Sequence, residues 1–319
     1  MMKRLLSALL FALASCCALA QAYPSRPLHV VVPFPPGGPT DVLGRVLGQG
    51  LSDALGQPAV VENKAGAAGN IGVDQLAKAA PDGYTLGIVP LGNIAVNPAL
   101  FTNLPYKASD LAPVAMLGTV ENVLVVNPAV PARNLKELLE LAGRKPDALS
   151  FASPGAGSQA HLAGELLALS SNVRLLHIPY KGIGPAMNDL LGGQVTMMFA
   201  QMSSALPYIK SGKLRALGVA SLKRSAVLPE VPTIAEQGVP GFEAVSWYAL
   251  MVPAGTPREI VDKLNAETGR LLAKPELKER LAALGMDAGG GKPQELATAI
   301  QRETARWSDV IRKRNIKAE

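Results

Sequence analysis

The chain has 319 residues, of which 48% are hydrophobic, 18% charged and 4% aromatic, and its formal net charge is +6. The positive charge is spread without basic runs and aromatic side chains are few, which argues against nucleic-acid grooves and base-stacking platforms. A chain of this length is at the point where one hydrophobic core usually divides, so two lobes are expected.

In chain order, Met1 to Ala22 has the pattern of an export signal: Lys3 and Arg4, an apolar run from Leu5 to Ala14, then small residues ending in Ala20-Gln21-Ala22. Cleavage is expected before Tyr23, with the mature protein in a bacterial periplasm. A second reading takes Leu13-Ala14-Ser15-Cys16 as a lipoprotein site with an acylated Cys16. It ranks lower because the residues after Cys16 remain apolar and small. Cys16 and Cys17 are the only cysteines, so cleavage before Tyr23 leaves no thiol and no disulfide. No later stretch approaches about 18 uncharged apolar residues, and a soluble mature chain follows.

From Leu28 the pattern alternates. Short β-branched or apolar runs (Leu28 to Val32, Ala59 to Glu62, Tyr84 to Val89) are separated by segments of helical period, which predicts an α/β architecture with a mostly parallel sheet. The first helix places Leu43, Leu47, Leu51 and Leu55 on one face, with Gly56 as a stop and Pro58 beyond it. Ala112 to Val126 resembles a strand that leaves one lobe and enters another, interrupted by the polar Thr119-Val120-Glu121-Asn122. The second lobe then alternates on its own: helix Leu135 to Ala142, strand Leu149 to Ala152, helix Gln159 to Leu169, strand Arg174 to Ile178, helix Pro185 to Leu191 and strand Val195 to Phe199. Leu214 to Ala220 is followed by a proline-rich connection, and Ala244 to Val252 carries the chain back. Three helices, around 257 to 273, 275 to 284 and 293 to 314, end it. The expected division is 23–120 with 245–319 as a discontinuous first lobe and 121–244 as the second, with two crossing strands as a hinge.

Open α/β sheets place ligands at the carboxyl ends of their strands, and two glycine-rich turns lie there. The first runs from Phe34 to Asp41. Pro35, Pro36 and Pro39 donate nothing, so the amides of Gly37, Gly38, Thr40 and Asp41 gather at the positive end of the first helix. The second, Ser153 to Ser158, precedes another helix with Ser158 as its cap and His161 one turn inside. Facing each other across a cleft, the two would grip a small anion with uncharged donors. Taken singly, each reads more readily as an ordinary tight connection than as a binding turn, and Asp41 as a third-position carboxylate bonding back to the cap amide. Neither turn carries a phosphate-loop or dinucleotide fingerprint, and no His, Cys or carboxylate cluster has metal-ligand spacing. No cofactor is expected. Ser158 and His161 leave open an exported α/β hydrolase, although the Gly-x-Ser-x-Gly elbow is missing.

Several ordered stretches resemble the Bug family, the extracytoplasmic substrate-binding proteins of tripartite tricarboxylate transporters. They include "YPSRPLHVVVPFPPGGPTD" from Tyr23, "VVENKAGAAGNIG" from Val60, "GAGSQAHLAGELL" from Gly155, "IPYKGIGPAMNDLLGGQV" from Ile178 and "WYALMVPAGTP" from Trp247. The resemblance implies a monomeric two-lobed periplasmic binding protein of type II topology, not an enzyme. It would close over a small organic carboxylate and deliver it to a membrane permease or a sensor. It also implies that the two turns are pincers on one carboxylate, partly through ordered water. The candidate ligand-binding residues are then Phe34, Gly37, Gly38 and Asp41 in the first turn, and Ser153, Gly157, Ser158 and His161 in the second. Tyr180 and Lys181 open the next loop, and Trp247 on the return crossing is a hinge residue, a cleft wall or core packing. Two departures bear on specificity. Ala200, followed by Gln201, stands where relatives often carry Asp, and Asn93 follows the third strand where Ser or Thr is common. With no acid beside Met202 or Ser203 and Asp41 turned toward its helix, the expected ligand is a carboxylate without an α-ammonium.

Overall fold

The β-branched runs build two sheets in the computed structural model, which describes residues 23–283 and 285–317. The expected export signal lies outside the described residues. β1 (Leu28–Val32) enters α1 (Pro39–Leu55) through the first glycine-rich turn. β2 (Ala59–Asn63), α2 (Asn70–Ala77) and β3 (Thr85–Pro90) follow, and β1 pairs in parallel with both β2 and β3. Leu43, Leu47 and Leu51 of α1 are buried against the sheet together with Leu28, Val30 and Val32 of β1. Gly44 makes that approach possible: a Cβ there would stand 2.6 Å from Cγ2 of Val32.

After a π-helical turn at Gly92–Val96 and the short α3 (Asn97–Leu100), β4 (Leu111–Val120) completes the outward path. A single residue, Glu121, separates it from β5 (Asn122–Val126), which belongs to the other sheet. That sheet is built from β5, α4 (Leu135–Arg144), β6 (Ser150–Ser153), α5 (Gln159–Ser170), β7 (Leu176–Pro179), α6 (Ile183–Leu191), β8 (Met197–Gln201), α7 (Met202–Lys210) and β9 (Arg215–Val219). The chain returns through β10 (Ser246–Pro253), then α8 (Arg258–Ala273), α9 (Pro275–Ala283), β11 (Met286–Gly290) and α10 (Pro293–Arg314). The sheet orders are β11-β4-β10-β3-β1-β2 and β7-β6-β8-β5-β9.

β1 to β4 run one way in the first sheet and β6 to β9 one way in the second, as expected, but the pairing is mixed. β10 lies antiparallel between β3 and β4, and β5 antiparallel between β8 and β9. The crossing strands cause this. β4 leaves its sheet at the edge where β1 and β3 end, and β10 comes back at that edge. β5 enters the second sheet where β6 and β8 end, and β9 leaves there. Asn122, 3% exposed, ties the two crossings. Its carbonyl accepts from the Ala220 amide at 2.8 Å, its Nδ2 donates to the Ala244 carbonyl at 2.7 Å, and Ala244 N donates to Ala220 O at 2.8 Å.

The last helix belongs to both sheets' cores. Leu296, near its start, is buried with Trp247 and Met251 of the first sheet. Trp307, Val310 and Ile311 are buried with Phe151, Leu162 and Phe199 of the second. Arg314 at its end pairs with Glu165 on α5. Trp307 is 0% exposed, and its Nε1–H has no partner among the described residues. Trp307→Ala should therefore cost about 3–5 kcal/mol of unfolding free energy. Trp307→Phe should cost much less, because it also removes the orphaned donor. Urea unfolding of the two variants checks this; equal losses would mean that the ring is not packed as described.

Candidate functional site

The first turn is held by its own carboxylate. Gly37 has φ +87°, a backbone state that favours glycine, and Gly38 is the N-cap with Pro39 at the first helical position. Asp41 Oδ2 accepts from the Gly37 amide at 2.9 Å and from Arg45 Nε at 3.0 Å, and its Oδ1 accepts from Asn63 Nδ2 at 2.9 Å. Asn63 Nδ2 also donates to the Phe34 carbonyl at 3.0 Å. The Arg45 hydrogen bond is the main reason that the Asp41 carboxyl is lowered to about 2, with burial opposing it. Two expectations change here. The Gly37 amide faces Asp41 rather than a ligand, and Asp41 bonds to the residue before the cap, not to the cap itself.

The second turn is held by histidines. The Ser158 side chain caps α5, accepting from the His161 amide at 3.3 Å. His161 Nδ1 accepts from the Gly157 amide at 3.0 Å, which leaves its proton on Nε2, 3.7 Å from Oε1 of Glu165. Ser153 Oγ donates to the Gly155 carbonyl at 2.9 Å and accepts from the Gly155 amide at 3.2 Å. Its one hydrogen being spent, the 2.7 Å contact with His177 Nε2 has the imidazole as donor. The His161 and His177 rings stack with centroids 3.7 Å apart and 5° between planes. Burial, then the neighbouring His161, lowers His177 to about 4. Ser153 and His161 therefore stand behind the turn and shape it. Ser158 Oγ bonds to the backbone of His161 and not to its ring, so the Ser–His pair of a hydrolase is not assembled.

Against the second turn lies a cavity of about 490 Å³, which the first turn reaches through Phe34 rather than through the expected Gly37 and Gly38. Of the residues anticipated from sequence, Phe34, Asn93, Gly157, Ser158 and Trp247 line it. Gly157 brings the second turn against α3, since a Cβ there would meet Leu100 at 2.3 Å, and its φ of +72° favours glycine as well. Asn93, 2% exposed, is fixed by a buried network. Its Nδ2 donates to the Ala68 carbonyl at 3.0 Å and to Asn70 Oδ1 at 3.1 Å, where Asn97 Nδ2 and the Tyr106 hydroxyl also converge. Its donors are spent, leaving Oδ1 as an acceptor.

The other candidates lie elsewhere. Ala200 is buried in the second sheet's core. The Tyr180 hydroxyl donates to Asp189 Oδ2 at 2.7 Å and, chiefly through burial, is pushed up to about 12. Lys181 is exposed, and Gln201 lines a smaller neighbouring chamber. Sequence reasoning missed Gln159, Ser246 and Tyr248, which also line the main cavity. Their signal was adjacency alone: Gln159 follows the cap Ser158, and Ser246 and Tyr248 flank Trp247. None of the residues lining the main cavity carries a charged side chain.

The family description "Tripartite tricarboxylate transporter family receptor" matches residues 43–316. The chain belongs to this family. Protein BugT of Bordetella pertussis is 44% identical to the receptor over 300 residues, covering 93% of this chain and 92% of BugT. A Rhodopseudomonas palustris protein solved with adipate is 35% identical with a TM-score of 0.76, covering 92% of the receptor and 99% of that chain. MatC of the same organism, solved with bound malate, is 37% identical with a TM-score of 0.73, covering 91% and 100%. The Bug resemblance and the two-lobed periplasmic binding fold read from the sequence are thereby borne out, and solute binding is the receptor's function. Among the described residues no helix is long and apolar enough to cross a membrane.

His177 makes stability depend on pH. Its folded value of about 4 lies below the ordinary 6.5, so as pH falls the unfolded chain takes up this proton first. Stability is then lost from about pH 6.5 downward to about pH 4. Asp41, lowered from 3.8 to about 2, acts in a separate window: its stabilisation is present above the unfolded value and is lost as pH falls through about 2. The melting temperature should drop between pH 7 and 4.5, and less in His177→Gln, whose amide can still donate to Ser153. Parallel pH profiles of wild type and variant would show that His177 is not the group responsible.

Proposed function

We propose that the receptor binds a small organic carboxylate lacking an α-ammonium in the main cavity, without turnover, and passes it to a tripartite transporter permease or a sensor. The carrying observation is the uncharged lining. Anion donors remain without any Arg or Lys: the Gln159 amide at the start of α5, which has no acceptor within the helix, and the side chains of Ser158, Ser246, Trp247 and Tyr248. An ammonium would need desolvation against acidic or several carbonyl partners, and Asp41 is already committed to Gly37, Arg45 and Asn63. Adipate and malate, found with two structural relatives, carry carboxylates and no ammonium.

In this reading the protein is a monomer whose lobes, 23–120 with 245 onward and 121–244, close about the Asn122 crossing. The mature chain starts at Tyr23, and the anchoring of that residue supports this: its hydroxyl donates to the Gly83 carbonyl at 2.6 Å and its ring packs edge-on against Tyr84. Intact mass of the exported protein tests the start; a mass retaining an acylated Cys16 would exclude it. For the ligand, calorimetric titration should show succinate or adipate binding at least tenfold more tightly than aspartate or glutamate, a gap of about 1.4 kcal/mol. Tighter binding of the amino acids would overturn the proposal.

A further inference from the structure

The main cavity does not end at the second turn. A chamber of about 160 Å³ lies beside it, and both spaces are walled by the same three residues, Pro154, Gln159 and Ser246. Pro154 is fixed by its ring, and Ser246 is a short side chain at the first position of β10. Gln159 is the one long, rotatable side chain in this wall. It is half-buried, and its hydrogen bond within the wall runs from Nε2 to the Val245 carbonyl at 3.3 Å, beyond the usual range for N–H···O.

The chamber behind it has a definite chemistry. Ile183, Met198 and Phe199 give it apolar walls. At its polar end, Asn122 and Gln201 stand opposite each other in the β5–β8 ladder. Asn122 already donates to the Ala244 carbonyl, whereas the Gln201 side chain makes no hydrogen bond among the described residues. A methylene chain ending in a hydrogen-bonding group suits such a space: the chain packs on Met198 and Phe199 while the end group meets the unspent Gln201 amide.

We propose that Gln159 is the partition that sets how long a carboxylate the receptor accepts, and that the chamber behind it receives the far end of longer ligands. This rests on the main cavity being the carboxylate site. A short acid leaves Gln159 in place. A longer one displaces it at the cost of its weak bond to Val245 and gains roughly fourfold in affinity for each methylene that enters the chamber.

The test is calorimetric titration with succinate, adipate, suberate and sebacate of the wild type, Gln159→Ala, and Gln159→Ala combined with Ala160→Leu. Ala160 lines the chamber on α5, where a leucine is compatible with the helix and fills the space. Removing the partition should raise the ratio of sebacate to succinate affinity at least tenfold, and filling the chamber should bring it back toward the wild-type value. An unchanged ratio in Gln159→Ala with succinate still bound overturns the partition while leaving the main cavity as the carboxylate site. Failure of the wild type to bind any of the four acids overturns both.

Discussion

The arrangement depends on Asn122. Both crossings between the sheets meet at this buried residue, which bonds through its carbonyl to the chain leaving the second sheet and through its amide to the chain returning to the first. Because β4 and β5 are separated by Glu121 alone, there is no slack between the two sheets on that side. The edges where the strands of each sheet end are thereby brought together. The two glycine-rich turns extend from those edges, so the approach of Phe34 and of the second turn to one cavity follows from the crossing geometry rather than from any attraction between them.

A turn rich in free amides is a poor structure on its own, because each amide left without an acceptor costs about as much as a lost hydrogen bond. The receptor supplies acceptors from behind. Asp41 takes the Gly37 amide, His161 takes that of Gly157, and Ser153 takes that of Gly155. Asp41 can remain ionised while buried because Arg45 and two further donors surround it. These bonds fix the loop geometry and leave a few donors facing the cavity, at the start of α5 and on β10. Residues that look like ligand contacts in the sequence are thus divided between those that meet the cavity and those that hold the turn still.

That division explains what the sequence disclosed. The apolar period of α1, the strand-to-helix turns and the long extended stretch before Val126 are local patterns, and they fix the fold and the position of the site. β11 was not legible because Met286 to Gly290 contains no β-branched residue; it forms by pairing with β4. α7 was hidden because it follows β8 without a loop and carries Pro207 inside it. The roles of Tyr180 and Ala200 were equally hidden, since Asp189 is nine residues further on and the core around Ala200 is assembled from distant strands. Family motifs place a residue near a site, but the partner that consumes its hydrogen bond is a matter of tertiary contact.

A neutral lining also has a consequence for release. An Arg–carboxylate pair is strong and bidentate, and separating it strands a charge that must be solvated again. Neutral donors spread over two sheets each contribute less, and a carboxylate bound as proposed is well stabilised only when those of both sides reach it together. In the proposed reading such a ligand holds the cleft shut while it is bound, and opening separates it from the donors of one side. The same donors, being uncharged, cost less to strip of water when a ligand binds than a guanidinium would. A receptor that must both capture a solute and surrender it is better served by this arrangement than by a fixed opposite charge, and Trp247 and Tyr248, on the strand that returns from the crossing, place part of the lining directly on the element that connects the two sheets.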